Sequence, residues 1–280
     1  MASSATGSHS QLDSCPTPRP VSLPQFEGLD LKARYHSDRC GGDFFDAVAT
    51  GSRVIFILTD IAGKRAEAHA IAVEVQKVFR TRAQELFEAR DANESEGIAL
   101  LTRDVNRSLI EAAHGVHFAP AFLGCFNLTL GLLTYHNAGR LLAVFHDTES
   151  VRVLDDGGIP LGLFTHSTYE PAILAFEPHA KLLLVTKGIT ERRRGGTTFG
   201  IERVSRVLEN TNTDSALRIS EAVLKEACNF DKNPWWRVYD FLHPRQRCSR
   251  DDLTAVTLVR TTHSSPESAS LEARVPLSRA

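Results

Sequence analysis

The chain has 280 residues, 42% hydrophobic and 24% charged, with a formal net charge of −2. That balance is ordinary for a globular domain and leaves no basic footprint of the kind nucleic acid requires. Apolar runs such as Leu141–Phe145 are far too short to span a bilayer, and residues 1–20 contain no apolar export segment. A cytoplasmic protein with no nucleic-acid or membrane partner is expected. Cys15, Cys40, Cys125, Cys228 and Cys248 are odd in number and form no C-x-x-C pair, so free thiols are expected.

In chain order, residues 1–25 are rich in Ser, Thr and Pro and read as a disordered leader. Residues 29–37 alternate like a strand, and 44–50 and 53–60 flank Gly51-Ser52, a hairpin signal. The apolar period then changes. Ile71, Val75, Val78, Phe79 and Leu86 predict a core-facing helix over about 64–89, and Leu101, Val105 and Leu109 a second over about 95–113. Segments 121–131, 132–140 and 141–154 read as a meander with tight turns, and 169–177 and 181–188 as two further strands. Residues 201–210 and 215–228 read as helices, 251–261 as a last strand, and 263–280 as a disordered tail. Strands in hairpins interleaved with paired helices predict an α+β domain over 26–262, not a parallel βαβ fold.

Several short motifs carry chemistry. In Gly41-Gly42-Asp43-Phe44-Phe45-Asp46, two glycines let the backbone bring a carboxylate close to a ligand, although a solvated turn has the same composition. Asp60 ends an apolar strand, where an ionised carboxylate needs a cation or donors; capping the following helix is the plain alternative. Gly63-Lys64 does not belong to a phosphate-binding P-loop, because Leu58 stands where a glycine is needed and Arg65 where Ser or Thr is needed. Asp251 and Asp252 are adjacent, and two carboxylates about 4 Å apart repel by about 4 kcal/mol at an effective dielectric near 20. A metal would relieve this; in isolation a turn with both acids in water is simpler. The strand 181–185 runs into Thr186-Lys187-Gly188, so a cation follows a buried strand.

Each motif is weak alone, but their order is not. Gly41–Asp46, Asp60–Lys64, Asn137–Gly139, Pro160–Gly162, Thr186–Glu191, Phe199-Gly200 and Asp251–Thr254 together resemble the PPM-type metal-dependent serine/threonine phosphatases, in their SpoIIE/RsbU-like bacterial branch. The resemblance covers nearly all of about 28–261. It implies a layered α-β-β-α sandwich, a central β-sandwich with helices on both outer faces. It also implies one or two Mn²⁺ or Mg²⁺ ions at one edge, activating a water that attacks a phosphoserine or phosphothreonine.

Position by position, Asp43 matches the first metal ligand and Asp60 the carboxylate that bridges both ions. The Ile61 carbonyl fills another place, and Asp251 matches the ligand before the last strand, with Asp252 beside it. Asp43, Asp60 and Asp251 are thus the implied catalytic acids. Lys187 falls where the family carries the remaining Asp, and a protonated lysine binds no metal. A split site follows: one ion on Asp43, Asp60 and Ile61, and a second weakened or lost. The alternative turns Lys187 to solvent, with Asp252 or Glu191 in the ligand's place. Arg192, Arg193 and Arg194 follow at once and suit a phosphorylated partner, since guanidinium forks phosphate; a solvated basic loop is the bland alternative. Trp235 and Trp236 would either bind a partner or pack down their own segment. In this branch the implied substrate is a phosphorylated STAS-domain anti-sigma antagonist, with an upstream regulator protein supplying the input. The rival reading is a pseudophosphatase that binds its partner without turnover.

Overall fold

The computed structural model describes residues 23, 25–36, 42–63, 65–115, 117–155, 157–194, 196–230 and 252–262. The chain opens with β1 (Leu29–His36), β2 (Asp43–Thr50) and β3 (Arg53–Asp60), followed by α1 (Arg65–Phe87) and α2 (Glu94–Ala112). Next come β4 (Ala121–Asn127), β5 (Leu132–Ala138), β6 (Leu142–His146), β7 (Val151–Val153), β8 (Gly157–Gly158), β9 (Ala172–Ala175) and β10 (Lys181–Val185). The short α3 (Lys187–Thr190), β11 (Arg193–Arg194) and β12 (Thr197–Thr198) lead to α4 (Gly200–Asn210), α5 (Ala216–Phe230) and β13 (Leu253–Arg260). The bulk of the expected leader, the expected tail 263–280, and the Trp235-Trp236 segment lie outside the described residues, as do Cys15, Cys40 and Cys248.

Two sheets face each other. One holds six strands in the order β2-β3-β4-β5-β8, with β9 also on β5; the other runs β1-β13-β10-β6-β7. Strand alternation sorts the buried apolar side chains of the strands into layers. On β3, Val54, Phe56 and Leu58 point into the seam between the sheets, whereas Ile55 and Ile57 point out to α1 and α2. On β10, Leu182 and Leu184 enter the same seam, whereas Leu183 and Val185 meet α4 and α5. Three apolar cores separate four layers, and the expected α-β-β-α sandwich is observed.

Local expectations hold with two corrections. Gly51, at φ +57°, closes the β2–β3 hairpin between Thr50 and Arg53, which pair directly. The helical stripe of α1 is real, but Val78 and Leu86 lie at its margin, only partly buried. Ala68, Ala72, Ala83 and Phe87 join Ile71, Val75 and Phe79 inside. The second correction concerns the meander. β5 and β6 are consecutive, yet they belong to different sheets. Gly139 and Arg140 adopt φ +82° and +58° at the crossing. There Asn137 accepts from the Leu141 N–H at 2.9 Å and donates to the Leu141 carbonyl at 2.8 Å. A tight turn signals a reversal without saying which sheet receives the next strand.

Candidate active site

The same alternation builds the site. Asp43 is in phase with Ala47 on β2, and Asp60 with Leu58 on β3, so both carboxylates lie on the seam face at one end of the first sheet. They are direct cross-strand partners. From the second sheet, Thr186 continues the phase of Leu184, and Thr254 that of Val256. Asp46 has the opposite phase and points away, to α1. There it accepts from Arg80 at 2.6 and 3.0 Å, from Gln76 at 3.0 Å and from the Ala47 N–H at 2.9 Å. It staples α1 to β2 and takes no part in the site.

Asp43 is buried under two hydroxyls. Thr186 Oγ1 donates to Asp43 Oδ2 at 2.7 Å and Thr254 Oγ1 to the same oxygen at 2.6 Å. Burial first, and the Asp60 charge second, push the Asp43 carboxyl well above the usual carboxylate range, against the opposing pull of the two threonine hydrogen bonds. Asp252, buried nearby, adds a smaller push in the same direction. An isolated carboxylate here takes up a proton or a cation.

The backbone beside the two acids is shaped by Gly42. The Ile61 N–H donates to the Gly42 carbonyl at 3.0 Å, and a Cβ at Gly42 would stand 1.8 Å from the Ile61 oxygen. Only glycine lets these backbones approach so closely. Asp60 is held as a strand end, not a helix cap: its N–H donates to the Pro120 carbonyl at 3.0 Å, and α1 begins only at Arg65. Two carboxylates and a carbonyl are an all-oxygen donor set, which fits a hard divalent cation of the Mn²⁺ or Mg²⁺ class.

Lys187 opens α3 directly after Thr186. Its Nζ lies 3.7 Å from Asp60 Oδ2, and its side chain is 44% exposed. The ammonium thus stands at the mouth of the site beside Asp60, neither fully sequestered nor turned away. Asp251 lies outside the described residues. Asp252 is buried close enough to raise the Asp43 carboxyl, while among the described residues no three acidic, histidine or cysteine side chains form a ready ligand cluster. Glu191 is exposed and ends α3. Arg193 and Arg194 are exposed on the small β11–β12 hairpin, and Arg192 is half-buried with its carbonyl accepting from the Phe199 N–H at 2.7 Å.

Sequence reasoning overlooked three side chains. Thr186 and Thr254 were legible as polar residues at the seam ends of apolar strands. Asn106, buried on α2, accepts from the Gly162 N–H at 2.8 Å and donates to the Phe164 carbonyl at 2.9 Å. It pins the Pro160–Gly162 loop. That motif and Asn137–Gly139 therefore brace loops of the frame around the site.

Residues 50–258 match the family of Stage II sporulation protein E (SpoIIE). Protein IcfG of Synechocystis sp. is 24% identical over 229 residues, 74% of this chain and 36% of IcfG. The chain thus spans about a third of that relative's length. The SiaA-PP2C domain of Pseudomonas aeruginosa superposes with a TM-score of 0.66 at 16% identity, over 83% of this chain and 86% of that one. The catalytic domain of the serine/threonine protein phosphatase PstP, solved with two manganese ions, superposes with a TM-score of 0.58 at 12% identity, over 84% and 100%. At these identities the solved structures establish the PP2C fold.

Proposed function

The chain belongs to the Stage II sporulation protein E family, and on that premise we propose that it is a metal-dependent serine/threonine protein phosphatase with an altered metal site. The observation that carries this reading is the cross-strand pair Asp43–Asp60 at the seam, with Gly42 opening room for the Ile61 carbonyl. When bound, a Mn²⁺ or Mg²⁺ ion supplies a Lewis acid that lowers the pKa of a coordinated water toward ~7 and so furnishes a nucleophile for phosphorus. Asp43, Asp60 and the Ile61 carbonyl are the groups that would hold it. A second ion would need Asp60, Asp251 and the acid that Lys187 replaces. The Lys187 ammonium instead lies beside Asp60, offsetting part of its charge. The lysine end of the pair is 44% exposed, although Asp60 is nearly buried, so solvent screens the ammonium and the pair is a local charge and not a structural fastener.

The substrate class we assign is a phosphoserine or phosphothreonine protein, specifically a phosphorylated STAS-type anti-sigma antagonist in the bacterial cytoplasm, under an upstream regulator. Arg193 and Arg194, exposed on the hairpin after α3, suit the phosphorylated partner. The phosphatase domain is taken to span 26–262. The test is turnover of a phosphorylated peptide in Mn²⁺ by the wild-type chain and by Asp60→Ala. Release of phosphate by the first and not the second supports the reading. Lys187 is the one observation that favours a second reading, a pseudophosphatase: binding of the phosphoprotein without phosphate release at any Mn²⁺ concentration would establish it.

A further inference from the structure

Asp43 is held from the opposite sheet. Its Oδ2 accepts two hydroxyl hydrogen bonds, from Thr186 and Thr254, at 2.7 and 2.6 Å. Among the described residues no donor reaches Oδ1. The two hydroxyls are themselves fixed. The Thr254 N–H donates to Thr186 Oγ1 at 3.2 Å, which occupies a lone pair of that oxygen and leaves its proton to Asp43. The Thr186 N–H donates to the Thr254 carbonyl at 3.1 Å, which extends the β10–β13 ladder by one rung beyond Val185–Ala255. Both threonines are 1% exposed, so water does not compete for these bonds.

The arrangement also crosses the seam. Asp43 belongs to the first sheet, whereas Thr254 lies on β13 of the second and Thr186 directly follows β10 of the second. A single carboxylate oxygen is therefore tied to two adjacent strands of the opposite sheet, and the carboxyl plane cannot rotate without breaking a bond.

We propose that Thr186 and Thr254 are positioning residues for Asp43: a two-hydroxyl clamp that fixes Oδ2 and presents Oδ1 alone to a divalent cation. The proposal rests on the phosphatase reading above. It goes further in assigning the orientation of the ligand to the opposite sheet. In metal sites generally, groups that orient a ligand change metal affinity by about 10–100-fold when removed. A hydroxyl is what the clamp needs; a methyl of the same shape is not a donor. Valine at either position keeps the volume and loses the bond, whereas serine keeps the bond.

The experiment is a Mn²⁺ binding isotherm on the full chain, with melting temperatures in EDTA and in saturating Mn²⁺, for wild type, Thr186→Val, Thr254→Val, Thr186→Ser and Thr254→Ser. The expected result is an affinity loss of tenfold or more in each valine variant, with a smaller Mn²⁺-induced rise in melting temperature, and affinity within about threefold of wild type in each serine variant. A purely structural role would lower the melting point in EDTA and leave Mn²⁺ affinity unchanged in the folded protein, which overturns the clamp. Serine variants that bind as poorly as the valine variants also overturn it. A wild-type chain that binds no Mn²⁺ overturns the clamp and the phosphatase reading together. Intact wild-type binding with unaffected valine variants overturns the clamp alone. If a valine variant does not fold, alanine at the same position, which also lacks the hydroxyl, takes its place in the isotherm, and an affinity within about threefold of wild type overturns the clamp.

Discussion

Asp43 carries the pH dependence of the site. Its carboxyl is raised in the folded chain, chiefly by burial and then by Asp60. The folded state therefore keeps a proton that the unfolded chain releases near pH ~3.9. Between that value and the raised one, the folded state binds more protons, so metal-free stability falls as pH rises through the window. A bound cation takes the proton's place and removes the penalty. In EDTA, the melting temperature of the wild type should fall with rising pH relative to Asp43→Asn, which cannot titrate; saturating Mn²⁺ should remove the difference in slope. Parallel wild-type and Asp43→Asn curves in EDTA would show that Asp43 ionises normally. How much of this was legible beforehand differs residue by residue. Asp60 stands out in the sequence because acids rarely end apolar strands, and Asp43 because two glycines precede it. Strand parity alone also separates Asp43 from Asp46. The convergence of two threonine hydroxyls on one oxygen was not legible, because it depends on how far one sheet is offset against the other.

Helix α1 is fastened at two levels. Its apolar stripe of Ile71, Val75 and Phe79 fills the core against the first sheet. Replacing Val75, fully buried, with Asp would bury an unpaired charge, and the chain should not fold; a well-folded Val75→Asp protein by circular dichroism and thermal melting would contradict the packing. Phe79→Ala should cost about 3–5 kcal/mol through lost transfer energy and the cavity left behind, read by denaturant unfolding. The alanines Ala68, Ala72 and Ala83 escaped the periodic reading because they carry little hydrophobic signal, yet they set how closely the helix approaches the sheet.

The hairpin of β11 and β12 is a different kind of element, two residues to a strand and exposed. It needed no apolar pattern, so the sequence showed only its charge. Arg192→Ala, Arg193→Ala and Arg194→Ala combined should weaken binding of a phosphoprotein several-fold and leave hydrolysis of a small aryl phosphate nearly unchanged. Equal loss on both substrates would move these arginines from recognition into the chemistry or the fold.

At the scale of the molecule, four layers and three apolar cores follow from the alternation of a few strands. The sandwich closes because Val54, Phe56 and Leu58 from one sheet meet Leu182 and Leu184 from the other. The layered class was legible from hairpins and paired helices. The sheet change between β5 and β6 was not, since a turn of a few residues fixes direction and not membership. The site exists only because the ends of β2, β3, β10 and β13 coincide at one end of the seam, a property of the whole sandwich. Lys187 enters at that same end, beside Asp60, where the family resemblance implies a metal-ligand acid. The central claim is that this lysine leaves one metal position and removes another. Its most direct measurement is the number of Mn²⁺ ions bound per chain at saturation, by calorimetry on the wild type and on Lys187→Asp. The account predicts one ion for the wild type and two for Lys187→Asp. Two tightly bound ions in the wild type, or a count that Lys187→Asp leaves unchanged, would contradict it.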